Sequence, residues 1–242
     1  MTSSTDVSNP PRLAYDSLRR TPPDTATHTM PTPVTIDQIQ RVAPNVRSNY
    51  RDAFQNGQAV LDQAGISATP LRVAHFMAQV LHETGGLATL IESLNYSVEC
   101  LPKVWPARFK PTGPLDPALF AHNQQKLGNE VYGGRMGNTG SNDGFTYRGR
   151  GLLQLTGRDS YQDATTTLRL QNPAAPDFVI LPDEAFGSQW CLAVAAAEWA
   201  SKGCNGLADQ DDIRKVTRAI NGGLIGLASR TEWLRLAKAV WS

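Results

Sequence analysis

The chain has 242 residues, 40% of them hydrophobic and 19% charged, and a formal net charge of +1. That is enough apolar material for one large domain or two small ones, and too much for a globally disordered chain. The near-zero charge, with no Lys/Arg block and no 18-residue apolar run, argues against nucleic-acid binding and against membrane insertion.

Residues 1–33 are rich in Ser, Thr and Pro, with Pro10-Pro11, Pro22-Pro23, Pro31 and Pro33 among them. Such a segment resists packing and reads as a tail. It is either an inert extension or a docking segment for a partner such as a secretion-machine adaptor. No apolar h-region opens the chain, so the expectation is synthesis in the cytoplasm without a signal peptide.

From Thr35 the pattern turns helical. Thr35 and Gln38 form a capping box ahead of Ile36, Ile39 and Val42. One helix is expected over 47–64. The next starts at Thr69-Pro70 and should stop at Gly85-Gly86, because glycine tolerates left-handed dihedrals. The span 102–150 is rich in Gly and Pro and is expected to be mostly loop. The segment 188–201 is apolar on all sides and should be a central buried helix. A shorter helix over 212–220 should end at Asn221-Gly222-Gly223. Ser229 and Glu232 read as a second capping box before Trp233, Leu236, Ala237 and Val240. No strand pattern of useful length occurs. Cys100, Cys191 and Cys204 lie in no CxxC or Cys/His cluster, so they read as buried, reduced thiols without a metal. The outcome is one mainly α domain, 34–242, carrying long loops.

The densest chemistry is His82-Glu83-Thr84-Gly85-Gly86, followed by Glu92-Ser93-Leu94-Asn95-Tyr96. Cleaving a glycosidic bond takes one carboxyl to protonate the leaving oxygen and another to activate water or stabilise a cation. His75, Gln79 and Glu83 fall at i, i+4 and i+8 and line up as a polar stripe on an apolar helix. That stripe reads as a cleft wall ending in Glu83, with His75 as a substrate contact. A carboxylate at a helix C-terminus meets the negative end of the macrodipole, which suits a general acid. His82-Glu83 opens like a HExxH zinc motif, but Gly86 stands where the second His would be. Glu92, nine residues on, is placed to act as general base. In Tyr147-Arg148-Gly149-Arg150-Gly151-Leu152-Leu153-Gln154-Leu155-Thr156-Gly157, Gln154 and Thr156 face the same side if the run is extended. An amide and a hydroxyl side by side suit a water or an N-acetyl group.

Taken together, HETGG, ESLNYS, YGGRMGN (132–138), YRGRGLLQLTGR (147–158) and INGG (220–223) resemble the family 19 glycoside hydrolases. The likeness spans roughly 35–242 and is greatest to the bacterial and phage branch of endolysins and chitinase-like lysozymes. The resemblance implies a mainly α, lysozyme-like, two-lobed helical domain with long loops lining a cleft. It also implies inverting hydrolysis of β-1,4 links beside N-acetylglucosamine. By position, Glu83 matches the general acid, Glu92 the second acidic residue and Thr156 the hydroxyl that places the water. Gln154 and Asn221 match sugar contacts, and Tyr96, Tyr147, Tyr132 and Trp105 are candidates for stacking on sugar rings. The chain departs from plant chitinases at Trp105-Pro106, at Leu224-Ile225-Gly226 after Asn-Gly-Gly, and in lacking their disulfides; Arg230 has no assigned role.

The expected function is therefore a monomeric peptidoglycan hydrolase of lysozyme type that needs no cofactor and acts on cell-wall glycan strands after release or delivery. An immunity protein is a conceivable partner. The alternatives are a chitinase and, from another class, a wall-binding module that has lost activity.

Overall fold

Helix caps set most of the architecture. In α1 (Ile36–Val42) the expected capping box is complete: the Thr35 hydroxyl accepts from the Gln38 N–H while Gln38 reaches back to the Thr35 N–H. In α4 (Pro70–Glu83) the Thr69 hydroxyl accepts from the Arg72 N–H at 3.2 Å, and Pro70 opens the first turn. At its far end Gly85 and Gly86 take φ of 57° and 78°, turning the chain out of the helix as expected. A computed structural model describes residues 30–242. The Pro-rich tail expected over 1–33 lies outside the described residues except for positions 30–33.

The single helix expected over 47–64 is two, α2 (Ser48–Gln55) and α3 (Gln58–Gln63). The break falls at Gly57, where a Cβ would stand 2.2 Å from Leu192 Cδ2 and 2.5 Å from the Ala53 carbonyl oxygen. Helix α9 (Cys191–Ser201) runs so close there that only glycine fits. The span 102–150 holds more helix than expected: α5 (Leu101–Val104), a 3₁₀ turn at Pro117–Leu119, α6 (Gln124–Tyr132) and α7 (Asp143–Thr146). A long helix, α8 (Arg158–Gln171), follows the Gly-rich motif, and a 3₁₀ stretch at Pro182–Phe186 leads to α9. The chain closes with α10 (Cys204–Asp209), α11 (Ile213–Asn221) and α12 (Leu227–Val240).

The capping box expected at Ser229 and Glu232 does not form. Helix α12 starts earlier, from Gly226 at φ 73°, because the His82 ring packs where a side chain at 226 would be. Ser229 instead bonds His82 Nδ1 at 3.0 Å, and Glu232 pairs with Arg235. Cys191 and Cys204 are buried free thiols as expected, but Cys100 is exposed.

Three apolar clusters divide the described residues. The largest joins α1–α4 with α9–α12 around Phe76, Leu81, Trp199 and Leu234. A second, around Tyr161, Phe178 and Trp190, seats α8 against α9. The third, Leu94, Leu101, Phe109, Phe120, Leu127 and Val131, is the core of a smaller lobe built from α5–α7. The lobes join where Ile91 bridges Arg150, which also bridges Leu155; these are isolated bridges, and no sheet forms among the described residues. None of the described helices is long and apolar enough to cross a membrane.

Trp199 is fully buried, meets Phe76 edge-on at 5.4 Å and donates its indole N–H to Asn205 Oδ1 at 2.8 Å. Trp199→Ala should cost about 3–5 kcal/mol by opening a cavity and orphaning that amide, read as a lower urea midpoint with unchanged slope.

Candidate active site

Glu83 closes α4, with its side chain 17% exposed. Arg230 of α12, 1% exposed, donates from Nη2 to Glu83 Oε1 at 2.5 Å and from Nη1 to Gln79 Oε1 at 2.5 Å. Its Nε donates to the Ile225 carbonyl oxygen. The fork thus clamps two consecutive turns of α4 and leaves Glu83 Oε2 without a hydrogen-bond partner among the described residues. The expected stripe of His75, Gln79 and Glu83 exists, but α12 covers most of it. His75 is fully buried, bonds Asp211 at 2.8 Å and sits about 12 Å of helix rise from Glu83. Burial lowers its pKa, against the opposing pull of Asp211. The expectation of His75 as a substrate contact is therefore corrected: it is a packing residue.

Glu92 sits at the junction of the lobes. Its N–H donates to the Gly149 carbonyl oxygen at 2.9 Å, and its Oε2 accepts from the Gly149 N–H at 3.3 Å. Oε1 accepts from the Tyr132 hydroxyl at 2.7 Å. Two donors on two oxygens fit an acceptor-only carboxylate. Burial, then the charge of Glu92, pushes the Tyr132 pKa well up, so the phenol keeps its proton and stays a donor.

The run 147–157 is not extended. Residues 151–154 form a turn inside the Arg150–Leu155 bridge, and Gln154 takes a left-handed φ of 54°. A non-glycine residue in that region stores strain of about 1 kcal/mol, a frequent mark of functional positions. The turn still brings the expected side chains together. A Cβ at Gly149 would stand 2.7 Å from Gln154 Oε1 and 3.3 Å from both Thr156 Oγ1 and Glu92 Cβ. Gln154 Nε2 donates to the Gly151 carbonyl oxygen, and the Thr156 hydroxyl donates to the Gln154 carbonyl oxygen. Thr156 thereby keeps its lone pairs free to accept from a water.

The remaining candidates divide. Tyr96 is half-buried, meets Trp105 edge-on at 5.1 Å, and has its pKa raised by burial and then by the charge of Glu92. Both rings therefore flank the Glu92 side. Asn221 is exposed at the last residue of α11, and the turn after it leads into the helix that carries Arg230. Tyr147 is a correction: its ring is buried against Tyr161 at 5.3 Å, and its hydroxyl donates to the Val179 carbonyl oxygen. It supports the motif from beneath and cannot stack on a sugar.

Motif and spacing assign no role to Arg230 or to Glu198. Both carry a legible signal. Arg230 lies three residues after Leu227 and four before Leu234, on the apolar face of α12, and Glu198 is the one charged residue of CLAVAAAEWAS. Burial pushes the Glu198 pKa up to about 7; Lys202 opposes the shift and the charge of Glu83 adds to it.

No family model matches the chain. It is 34% identical over 187 residues to a glycosyl hydrolase family 19 domain-containing protein of Haemophilus influenzae, covering 76% of this chain and 87% of that one. The chain belongs to glycoside hydrolase family 19. Its fold agrees with a bacterial family 19 chitinase (TM-score 0.57, 21% identity, 86% of this chain and 95% of that one). Chitinase C from Streptomyces griseus gives a TM-score of 0.55 at 18% identity, over 88% of this chain and 95% of that one. This family 19 member is a glycoside hydrolase with the mainly helical, lysozyme-like fold expected.

Two outcomes are expected. Arg230→Lys keeps the charge but cannot serve Gln79 and Glu83 together; turnover should fall about 100-fold in a protein whose circular dichroism is unchanged. Glu198 favours its proton-bearing form in the fold, so its contribution to stability is complete below about pH 4.5 and lost as pH rises through about 7. Urea unfolding at about pH 5 and pH 8 should show the wild type losing on the order of 1–3 kcal/mol more than Glu198→Gln across that window.

Proposed function

We propose that this glycoside hydrolase cuts the β-1,4-linked glycan strands of peptidoglycan through Glu83 and Glu92. The observation that carries the mechanism is the convergence of Glu92, Gln154 and Thr156 over the bare Cα of Gly149. Glu83, held by Arg230 through one oxygen, gives a proton from the other to the glycosidic oxygen as the C–O bond breaks. A water held by Thr156 gives a proton to Glu92 while its oxygen bonds the anomeric carbon from the opposite face. The two carboxyls return to their starting states by exchange with solvent, so no cofactor takes part. Gln154 and Asn221 orient the acetamido sugar, and Tyr96 offers a ring edge beside Glu92.

The motifs ESLNYS and YRGRGLLQLTGR support a peptidoglycan substrate, since they resemble the endolysin branch. Chitin is the second reading, favoured by the two chitinases whose fold this chain shares. Reaching the wall requires release or delivery, and residues 1–33 are the proposed docking segment for an export partner. The chain is proposed to work as a monomer.

Mass spectrometry of fragments released from purified sacculi decides the substrate. Wild type should yield new reducing ends, and Glu83→Gln and Glu92→Gln should each lower release by about 10²–10⁴-fold. Intact sacculi with cleaved chitin oligomers would establish the chitinase instead.

A further inference from the structure

The motif YGGRMGN (132–138) takes no part in the mechanism above, although it is built as closely as the site itself. It runs from Tyr132, the last residue of α6, to Asn138, which is 1% exposed. The turn closes on itself. The Gly134 N–H donates to the Asn138 carbonyl oxygen at 2.9 Å, and the Asn138 N–H donates to the Arg135 carbonyl oxygen at 3.0 Å. Met136, between them, takes a left-handed φ of 54°.

This turn grips the start of α8. That helix has no side-chain cap of its own, because its N-cap residue is Gly157. Asn138 supplies one from 20 residues upstream: its Oδ1 accepts from the Arg158 N–H at 2.9 Å. The Met136 carbonyl oxygen takes the next N–H, that of Asp159, at 3.1 Å. The two segments interlock, since a Cβ at Gly157 would stand 2.5 Å from Met136 Cβ. The other arm of the Asn138 amide, Nδ2, donates to the Tyr132 carbonyl oxygen at 2.9 Å. The Tyr132 hydroxyl in turn donates to Glu92 Oε1 at 2.7 Å. A continuous path therefore runs from the Glu92 carboxylate through Tyr132 and Asn138 to the first turn of α8, two residues beyond Thr156. Gly149 joins Glu92 and Thr156 by a separate route, so the pair is held within a closed ring of contacts. Asn138 is buried too deeply to touch a substrate and acts only through what it holds.

We propose that Asn138 and Tyr132 are positioning residues that set the spacing between the Glu92 carboxylate and the Thr156 hydroxyl, and with it the place of the attacking water. The inference deepens the proposed mechanism and rests on its reading of Glu92 as the base and of Thr156 as the residue that holds the water. A buried amide with both arms engaged fixes two segments at once, and a displacement of about 1 Å at a reacting group can cost about 100-fold in rate.

The test measures initial rates on purified sacculi, or on chitin oligomers if the wild type cuts only those. Tyr132→Phe keeps the ring in the small-lobe core and removes one hydroxyl. Asn138→Asp keeps an acceptor for the Arg158 N–H, at a helix N-terminus that favours negative charge, and loses the donor to Tyr132. Each should lower kcat about 10–100-fold with KM nearly unchanged, because placement of the water rather than binding of the sugar is lost. The double variant should be no slower than the slower single one, and Tyr132→Phe should cost nothing further in a Glu92→Gln background. A merely structural role would make the losses multiply. Equal losses from Tyr132→Phe with Glu92 present and with Glu92→Gln would overturn the proposal while leaving Glu92 as the base. Wild-type turnover in Glu92→Gln would overturn that reading, and the proposal with it. The cycle with Glu92 needs only Tyr132→Phe, so it decides the matter even if Asn138→Asp does not fold.

Discussion

The structure turns on one buried guanidinium. Arg230 reaches from α12 across the face of α4 and binds Gln79 and Glu83 with the two arms of one planar fork. An arginine this deep is tolerated only if its donors are satisfied, so α4 and α12 must keep their register within a fraction of an ångström. These helices pack on each other more extensively than any other pair among the described residues, and the largest apolar cluster surrounds them. Core packing and carboxylate placement are therefore the same constraint: what fixes the helices fixes the Glu83 carboxylate.

The second carboxylate is held by the opposite strategy. Glu92 sits on no long helix; its N–H donates to the Gly149 carbonyl, its carboxylate accepts from the Gly149 N–H, and one phenol completes the hold. Its neighbours come from a turn whose left-handed Gln154 is strained and whose glycine has no room for a methyl. Short-range strain does here what a long rigid element does at Glu83. The smaller lobe contributes through Tyr132 and Tyr96, so Glu92 is tied to both lobes and Glu83 to only one.

Much of the helical frame was legible because its signals are local. Thr35 with Gln38, Thr69-Pro70 and Gly85-Gly86 act within a turn or two of the residues they cap, and the structure realises each. Contacts distant in sequence defeated the other readings. Gly57 breaks a helix because Leu192 lies against it, and the box at Ser229 fails because His82 occupies the space beside Gly226. Helix α8 hides behind its run of threonines, where the Thr165 hydroxyl donates to the Tyr161 carbonyl oxygen and accepts from the Phe178 N–H. Helix α6 hides behind Gly128, where a Cβ would stand 3.0 Å from both Phe145 Cα of α7 and Leu94 Cδ1. Motif and spacing pick out Glu83, Glu92, Gln154 and Thr156 as candidates, and the last three lie together around Gly149. The partners of Glu83 could not be read this way, since Arg230 is 147 residues away. Tyr147 misled because an aromatic beside a glycine motif reads equally well as a sugar platform or as a floor beam.

The chain enters its described part firmly fastened. The Thr32 N–H donates to the Ser67 carbonyl oxygen, and Gln58 bonds both the Thr32 carbonyl and the Val34 N–H. Ser67 lies just before α4, whereas Glu83 is its last residue, so about 20 Å of helix separates the two ends. Cargo, carrier or anchor joined upstream of Thr32 would pull on the blunt end of that rod. The Glu83 end, a helix length away, would stay clear of that pull.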